Sequence, residues 1–394
     1  MPLDRNLDNL DSKMVWAGTF STMAMAMRTG RDRGWAVRCG SSVAFTILAL
    51  VGGCTPQPSA SQSTARADRP DRPALEGTSS PAPDRLRVIA SGGVVCDLVQ
   101  QLADQDQTVA VTCLVQPGQD PHTYEPMPRD RAAIESASLI LYGGYGFEGG
   151  LTKTLTSAPS RGPKMAIFET AVPQPLLMDP QAHDHDHDHD HGEPPAQPNG
   201  VPTPDPHVWH NPQHGIQLTM IVAEQLSRLV PSQADRYQQQ SQRIIAELKQ
   251  LDRWIRTQVA TVPSDRRKLI TTHDALRYYA QAYGFEVKGA LSGLSTDKRP
   301  TPSDLAALVK LVKSAGVPTI FAEASTNAKT ISTVAREAGV QVAATPLFID
   351  GPGAAGSPGA TYQTMLVSNT CTIVNGLGGR CQPQTAPIGP SAQP

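Results

Sequence analysis

Aromatic side chains are scarce in this 394-residue chain, at 5 %, so no stacking surface for bases or sugar rings is indicated. Neither charge is in surplus. The 34 Lys and Arg stand against 36 Asp and Glu, which removes the electrostatic basis for binding nucleic acid or a charged membrane face. No Cys-x-x-Cys pair occurs, so a thiolate metal site is not expected. Also missing are His-Glu-x-x-His, His-x-His-x-Asp-His and Gly-x-Ser-x-Gly, which carry the chemistry of many secreted hydrolases. No apolar run approaches the roughly 20 residues of a membrane-crossing helix. These absences argue against an enzyme and against a membrane-spanning protein.

What is present begins with an export pattern. Arg28, Arg31, Arg33 and Arg38 precede a short apolar run, Val43 to Val51, and then Gly52-Gly53-Cys54. A basic region, an apolar core and small residues before a cleavage point make a secretory signal over 1–53. The core lies far from Met1, and Met23, Met25 and Met27 offer later translation starts. A cysteine directly after small residues is similar to the bacterial lipoprotein box, which predicts lipidation of Cys54 and an extracytoplasmic, membrane-tethered location. Four further cysteines remain: Cys96, Cys113, Cys371 and Cys381. In an oxidising compartment an even number permits disulfides, and of the three possible pairings sequence proximity favours Cys96–Cys113 with Cys371–Cys381.

Residues 54–84 are rich in Ser, Pro, Ala, Arg and Asp, which reads as a flexible tether. From Leu86 onward, short β-type runs alternate with helical patterns. Strands are expected at Leu86–Ala90, Thr108–Val115, Leu139–Tyr142, Lys268–Thr272, Glu286–Ala290, Thr319–Glu323 and Gln341–Ala344. Helices are expected between them, ending with one from Tyr362 to Leu377. The alternation predicts an α/β fold with parallel sheets. Between the halves, Gln233 to Thr261 carries apolar residues at three- and four-residue steps, the pattern of one long amphipathic helix.

The ten histidines are the informative residues. Five alternate with aspartate in one tract: His183, His185, His187, His189 and His191. Alternating imidazole and carboxylate cannot pack as a core, so the tract reads as a solvated loop offering loose, pH-sensitive ligation to Zn²⁺, Cu²⁺ or Ni²⁺. His122, His207 and His273 each lie in or beside a loop at the carboxyl end of an expected strand, where open α/β sheets bind ligands. His210 and His214 sit at a helix start and are expected to be exposed, with His210 a lesser candidate for recruiting metal. Asp205 and Asp274 flank two of the histidines, and Trp209 is expected to pack behind His207.

Four segments carry a resemblance. Pro-Gly-Gln-Asp-Pro-His-Thr-Tyr-Glu-Pro at 117–126, Asp-Pro-His-Val-Trp at 205–209, Thr-His-Asp-Ala at 272–275 and Leu-Ser-Gly-Leu-Ser-Thr at 291–296 occur in this order. They resemble the metal-specific solute-binding proteins of ABC importers, the cluster A-I group of zinc- and manganese-binding lipoproteins, over about residues 86–380. The resemblance implies two (β/α) lobes with parallel sheets, joined by a long rigid backbone helix, with metal buried between them. On that basis the chain divides into a lobe over 85–231 with a His-rich loop at 181–204, a linker helix over 232–262, a lobe over 263–380 and a tail over 381–394. The ligands map to His122, His207, His273 and Asp350, and Glu323 is a candidate acceptor for an imidazole N–H. Three imidazoles and one carboxylate favour Zn²⁺, with Mn²⁺ as the alternative, since manganese prefers oxygen-rich shells. Ser-Gly-Leu-Ser-Thr and the segment 356–362 resemble the branch that also holds manganese binders. The implied partners are the permease and ATPase of a metal importer, with a lipid anchor in the membrane, no nucleic acid and a monomeric state. A metal-buffering or adhesive surface lipoprotein is the other reading.

Overall fold

A computed structural model of the protein describes residues 85–178, 202–297 and 299–389. The signal segment, Cys54, the tether and the run His183–His191 lie outside the described residues. The first half builds one four-stranded parallel sheet in the order β2-β1-β3-β4 from β1 (Leu86–Ala90), β2 (Val109–Cys113), β3 (Leu139–Tyr142) and β4 (Lys164–Ala166). Helices α1 (Gly93–Leu102), α2 (Pro128–Ser136), α3 (Gly149–Ser157) and α4 (Ile167–Ala171) are interleaved with these strands. In α1, Val94, Val95, Leu98, Val99 and Leu102 fall on one face, and all are buried. A two-residue antiparallel pair, β5 (Leu177–Met178) with β6 (Thr203–Pro204), leads into α5 (Pro212–Leu229). Asn211 caps α5 by accepting from the Gln213 N–H, and Pro212 occupies its first turn.

The long helix α6 (Ala234–Val259) buries Tyr237, Ile244, Leu248, Leu251, Ile255 and Val259 at the anticipated spacing. Its 26 residues span about 39 Å at 1.5 Å per residue. It packs against α1 and α5 of the first half, and against α7 (Arg277–Tyr283) and α10 (Tyr362–Gly376) of the second. The second half holds two parallel pairs, β7 (Lys268–His273) with β8 (Glu286–Ser292), and β9 (Thr319–Ile320) with β10 (Gln341–Val342). The Phe321 N–H donates to the Ile270 carbonyl at 3.0 Å and ties the pairs together. Helices α8 (Pro302–Ala315) and α9 (Lys329–Ala338) cover this sheet. Thr301 caps α8 in a reciprocal box with Asp304. Parallel sheets in two lobes, joined by one long helix, are the anticipated α/β architecture.

Three departures matter. Pairing of the strand expected over Thr319–Glu323 stops at Ile320, and an isolated parallel bridge between Glu323 and Leu347 continues it. Helix α3, in a stretch rich in Gly and Thr, is an element beyond those placed from the sequence. His210 is 1 % exposed, not at the surface as its place at a helix start suggested, because the turn before α5 is packed between the lobes. His214 is half-buried, with Nδ1 on the Val208 carbonyl at 3.0 Å. Both disulfides follow the proximity pairing: Cys96–Cys113 ties α1 to β2, and Cys371–Cys381 anchors the segment after α10. Among the described residues no helix is long and apolar enough to cross a membrane.

Candidate metal centre

Four separate chain segments meet at one buried point. His122 comes from the loop after β2, and His207 follows β6. His273 is the last residue of β7, and Asp350 lies in the loop after β10. Donor atoms of the four all lie within 4.8 Å of one another. His207 and His273 are fully buried, and His122 and Asp350 nearly so.

Five of the six distances between these donor atoms match a small tetrahedron. His207 Nε2 lies 3.4 Å from His122 Nε2 and 3.3 Å from His273 Nε2. Asp350 Oδ1 lies 3.4 Å from His122 Nε2, 3.4 Å from His273 Nε2 and 3.8 Å from His207 Nε2. A regular tetrahedron around an ion with ligand bonds of about 2.0–2.2 Å has edges of about 3.3–3.6 Å. Asp350 Oδ1 is buried and faces the three imidazole Nε2 atoms and no other polar group, as suits an oxygen whose partner is a shared cation. Its other oxygen, Oδ2, accepts from Ser325 Oγ at 3.1 Å, which favours one-oxygen ligation by this carboxylate. The donor set and spacing fit a divalent ion held by three nitrogens and one oxygen.

Surrounding groups aim the imidazoles. Asp205 Oδ1 accepts from both the backbone N–H and Nδ1 of His207, each at 2.9 Å. Glu323 holds His273 in the same way, taking the backbone N–H at 2.9 Å and Nδ1 at 2.8 Å. A carboxylate at Nδ1 keeps a proton there, so the Nε2 lone pair points inward. Tyr278 of α7 donates to the Asp205 carbonyl at 3.1 Å, so the His207 segment is anchored to the second lobe. His122 is set by its backbone N–H on Asp120 Oδ1 at 2.9 Å, and Asp120 Oδ2 accepts from Thr296 Oγ1 at 2.5 Å. Thr296 ends the segment Leu291–Thr296 singled out in the sequence, so that motif closes against the His122 loop.

An aromatic wall stands behind these groups. Phe147 meets His122 edge-on at 5.1 Å and His207 at 5.8 Å, and Trp209 packs on Phe147 at 4.8 Å. Trp209 lies behind His207 as expected, at 5.4 Å between ring centres. Phe147 was not identified in the sequence. Its only signal is a glycine-rich loop directly after β3.

Burial, then the neighbouring His273 and His122, pushes the His207 pKa well below the ordinary histidine value, so this ring is neutral and ready to ligate. Burial opposes charge on His273 too, but Glu323 and Asp350 outweigh it and hold its pKa well above the ordinary value. Burial likewise opposes charge on Asp350, yet His273 above all keeps its pKa well below the usual carboxylate range. A metal must therefore displace a proton from His273 Nε2 when it enters. The raised pKa means that this proton is present at neutral pH, and affinity falls by up to tenfold per unit as pH drops. Calorimetry at pH 7 in two buffers of different ionisation enthalpy should find about one proton released per metal bound. Finding none would contradict this reading.

Of the sequence candidates, His122, His207, His273 and Asp350 are brought together and Glu323 supports His273 directly. His210 and His214 contribute no donor atom to the cluster. The accessory tract His183–His191 and Cys54 lie outside the described residues.

Residues 88–376 match the family model described as zinc-uptake complex component A, periplasmic. The chain is 31 % identical over 300 residues to the manganese-binding lipoprotein MntA of Bacillus subtilis, covering 75 % of this chain and 91 % of that one. It is 31 % identical over 296 residues to the zinc-binding protein TroA of Treponema pallidum, covering 74 % and 88 % respectively. The solved structure of that periplasmic zinc-binding protein superposes with a TM-score of 0.66 at 30 % identity, over 75 % of this chain and all of the other. The iron ABC transporter substrate-binding lipoprotein MtsA of Streptococcus pyogenes is 25 % identical over 305 residues, covering 76 % of this chain and 92 % of its own.

Proposed function

The chain belongs to the periplasmic zinc-uptake component family, and from that premise we propose that it captures Zn²⁺ outside the cytoplasm and hands it to an ABC importer. Members of this family are binding proteins of metal ABC transporters and not enzymes. The permease and ATPase of such an importer are its partners. The relatives are named for manganese, zinc and iron, so the cargo has to be argued from the site itself.

The observation that carries zinc is the compact set of three imidazole nitrogens and one carboxylate oxygen, with five of its six edges at 3.3–3.8 Å. Zinc takes tetrahedral N/O shells readily, whereas manganese and ferrous iron favour more ligands and more oxygen. Ser325 holding Asp350 Oδ2 works in the same direction, since it disfavours a fifth ligand from that carboxylate. Four protein ligands close the shell and leave no position for an activated water, as suits carriage rather than hydrolysis. We assign His122, His207, His273 and Asp350 as the ligands, with lipidated Cys54 as the anchor and His183–His191 as a collecting loop.

Competition of Zn²⁺, Mn²⁺ and Fe²⁺ for the purified full chain tests the cargo. One equivalent of Zn²⁺ is expected to bind at least a hundredfold more tightly than Mn²⁺. Tighter Mn²⁺ or Fe²⁺ would overturn the zinc assignment and leave the importer role standing.

A further inference from the structure

His210 takes no part in the tetrahedron, yet it is 1 % exposed and lies one turn beyond His207. Its Nε2 is 3.0 Å from the carbonyl oxygen of Ile349. A carbonyl only accepts, so Nε2 carries the proton and the ring is neutral at Nδ1. Trp209 Nε1 donates to the same carbonyl, also at 3.0 Å. Ile349 immediately precedes Asp350. The turn that carries His207 thus grips the residue beside Asp350 with two N–H donors, one from each of two adjacent side chains.

Other contacts press the same loop onto the first lobe. A Cβ at Gly93, whose φ is +52°, would stand 2.8 Å from the Asp350 carbonyl oxygen. A Cβ at Gly351, with φ +144°, would stand 2.6 Å from Gly93 Cα. Only two glycines allow this approach. Tyr362 OH, at the start of α10, donates to the Trp209 carbonyl at 2.6 Å and braces the turn from behind.

We propose that His210 is a positioning residue for Asp350. Through the Ile349 carbonyl it sets the separation between Asp350 and the His122–His207 pair, and so sets how tightly the tetrahedron closes. The Asp350 loop is then gripped from both sides, by His210 and Trp209 at the Ile349 carbonyl and by Ser325 at Asp350 Oδ2. This rests on the four-ligand site proposed above.

A double-mutant cycle tests it, read as Zn²⁺ affinity by chelator competition. His210→Leu removes the donor and is expected to weaken Zn²⁺ binding about tenfold, within the range of one buried hydrogen bond. In the Asp350→Ala background the same change is expected to cost less than twofold, because its route of action is gone. His210→Gln keeps an N–H near the Nε2 position and should stay within about threefold of native. The visible spectrum of the Co²⁺-loaded protein should shift in His210→Leu and not in His210→Gln, since its ligand-field bands follow the placement of Asp350. Equal losses in both backgrounds, or no loss in the native one, would overturn the proposal. If His210→Leu fails to fold, Trp209→Phe removes the other donor to Ile349 and carries the same cycle. Native protein that binds no Zn²⁺ would instead sink the site reading, which separates the two failures.

Discussion

Replacing His207 with alanine is expected to raise the dissociation constant for Zn²⁺ by at least a hundredfold. This ring is fully buried and stands 3.3–3.4 Å from the Nε2 atoms of both other histidines, so it is shared by two of the shortest edges. Structural zinc sites are worth about 12 kcal/mol, so one ligand of four accounts for about 3 kcal/mol, or roughly a hundredfold. The loss also deprives buried Asp205 of its Nδ1 donor, and burial already raises the pKa of that carboxyl to about 7. Chelator competition reads the affinity directly. A thermal scan reads it independently, because Zn²⁺ at a thousand times its dissociation constant stabilises the native protein by about 4 kcal/mol. At the same metal concentration a hundredfold weaker site leaves about 1.4 kcal/mol of that stabilisation, so the shift in His207→Ala should be no more than about a third of the native one. Zinc affinity within tenfold of native would refute the placement of His207 in the shell.

The second large effect concerns metal choice, and it depends on a pair. His273→Glu supplies the oxygen that manganese prefers, so on donor chemistry alone it should convert the site. The structure predicts that it does not. Glu323 Oε2 lies 2.8 Å from His273 Nδ1, and a carboxylate in that place would face another carboxylate in a fully buried setting. Two such groups in contact cannot both ionise, so one holds a proton and ligates poorly. The single variant is expected to lose Zn²⁺ affinity by about a hundredfold or more without gaining tight Mn²⁺ binding. Adding Glu323→Gln replaces the second carboxylate with an amide donor. The double variant should then bind Mn²⁺ about tenfold better than the single one. Measuring both metals on native, single and double proteins decides it. Tight Mn²⁺ binding by His273→Glu alone would show that Glu323 is not the constraint.

These two expectations differ in how much of each could be read from the chain. His207 and His273 stood out in the sequence, since each lies in a polar loop beside a strand and the surrounding motifs resemble a family with metal ligands there. From the sequence, Glu323 is only one candidate partner for an imidazole N–H. Its pairing with His273 spans 50 residues and depends on Glu323, in its isolated bridge to Leu347, turning its side chain toward β7. Phe147 left almost no trace, because a phenylalanine in a glycine-rich loop has no periodic neighbours to show which way it faces. His210 was misread as exposed for a similar reason. Its place at a helix start says nothing about what lies against that turn, and here the Asp350 loop from 139 residues away covers it.

The disulfides mark the boundary between the two kinds of information. Short separations of 17 and 10 residues favour the observed pairs, because loop-closure entropy grows with separation, but three pairings remained possible until α1 and β2 were seen to bring Cys96 and Cys113 together.

By itself the sequence determined the kinds of atoms available for a ligand shell and the local elements that hold them. Donor chemistry is a property of side chains, and strands and helices follow from short-range periodicity. The alternation of strands and helices, and the unbroken apolar seam of α6, were likewise written in neighbouring residues. Only the tertiary structure decided that four residues spread over more than 200 positions stand at the corners of one tetrahedron. It alone decided which carboxylate turns each imidazole and which carbonyl receives His210. Those are distances between lobes, set by how α6 and the loops at the sheet ends pack, and no local pattern encodes them.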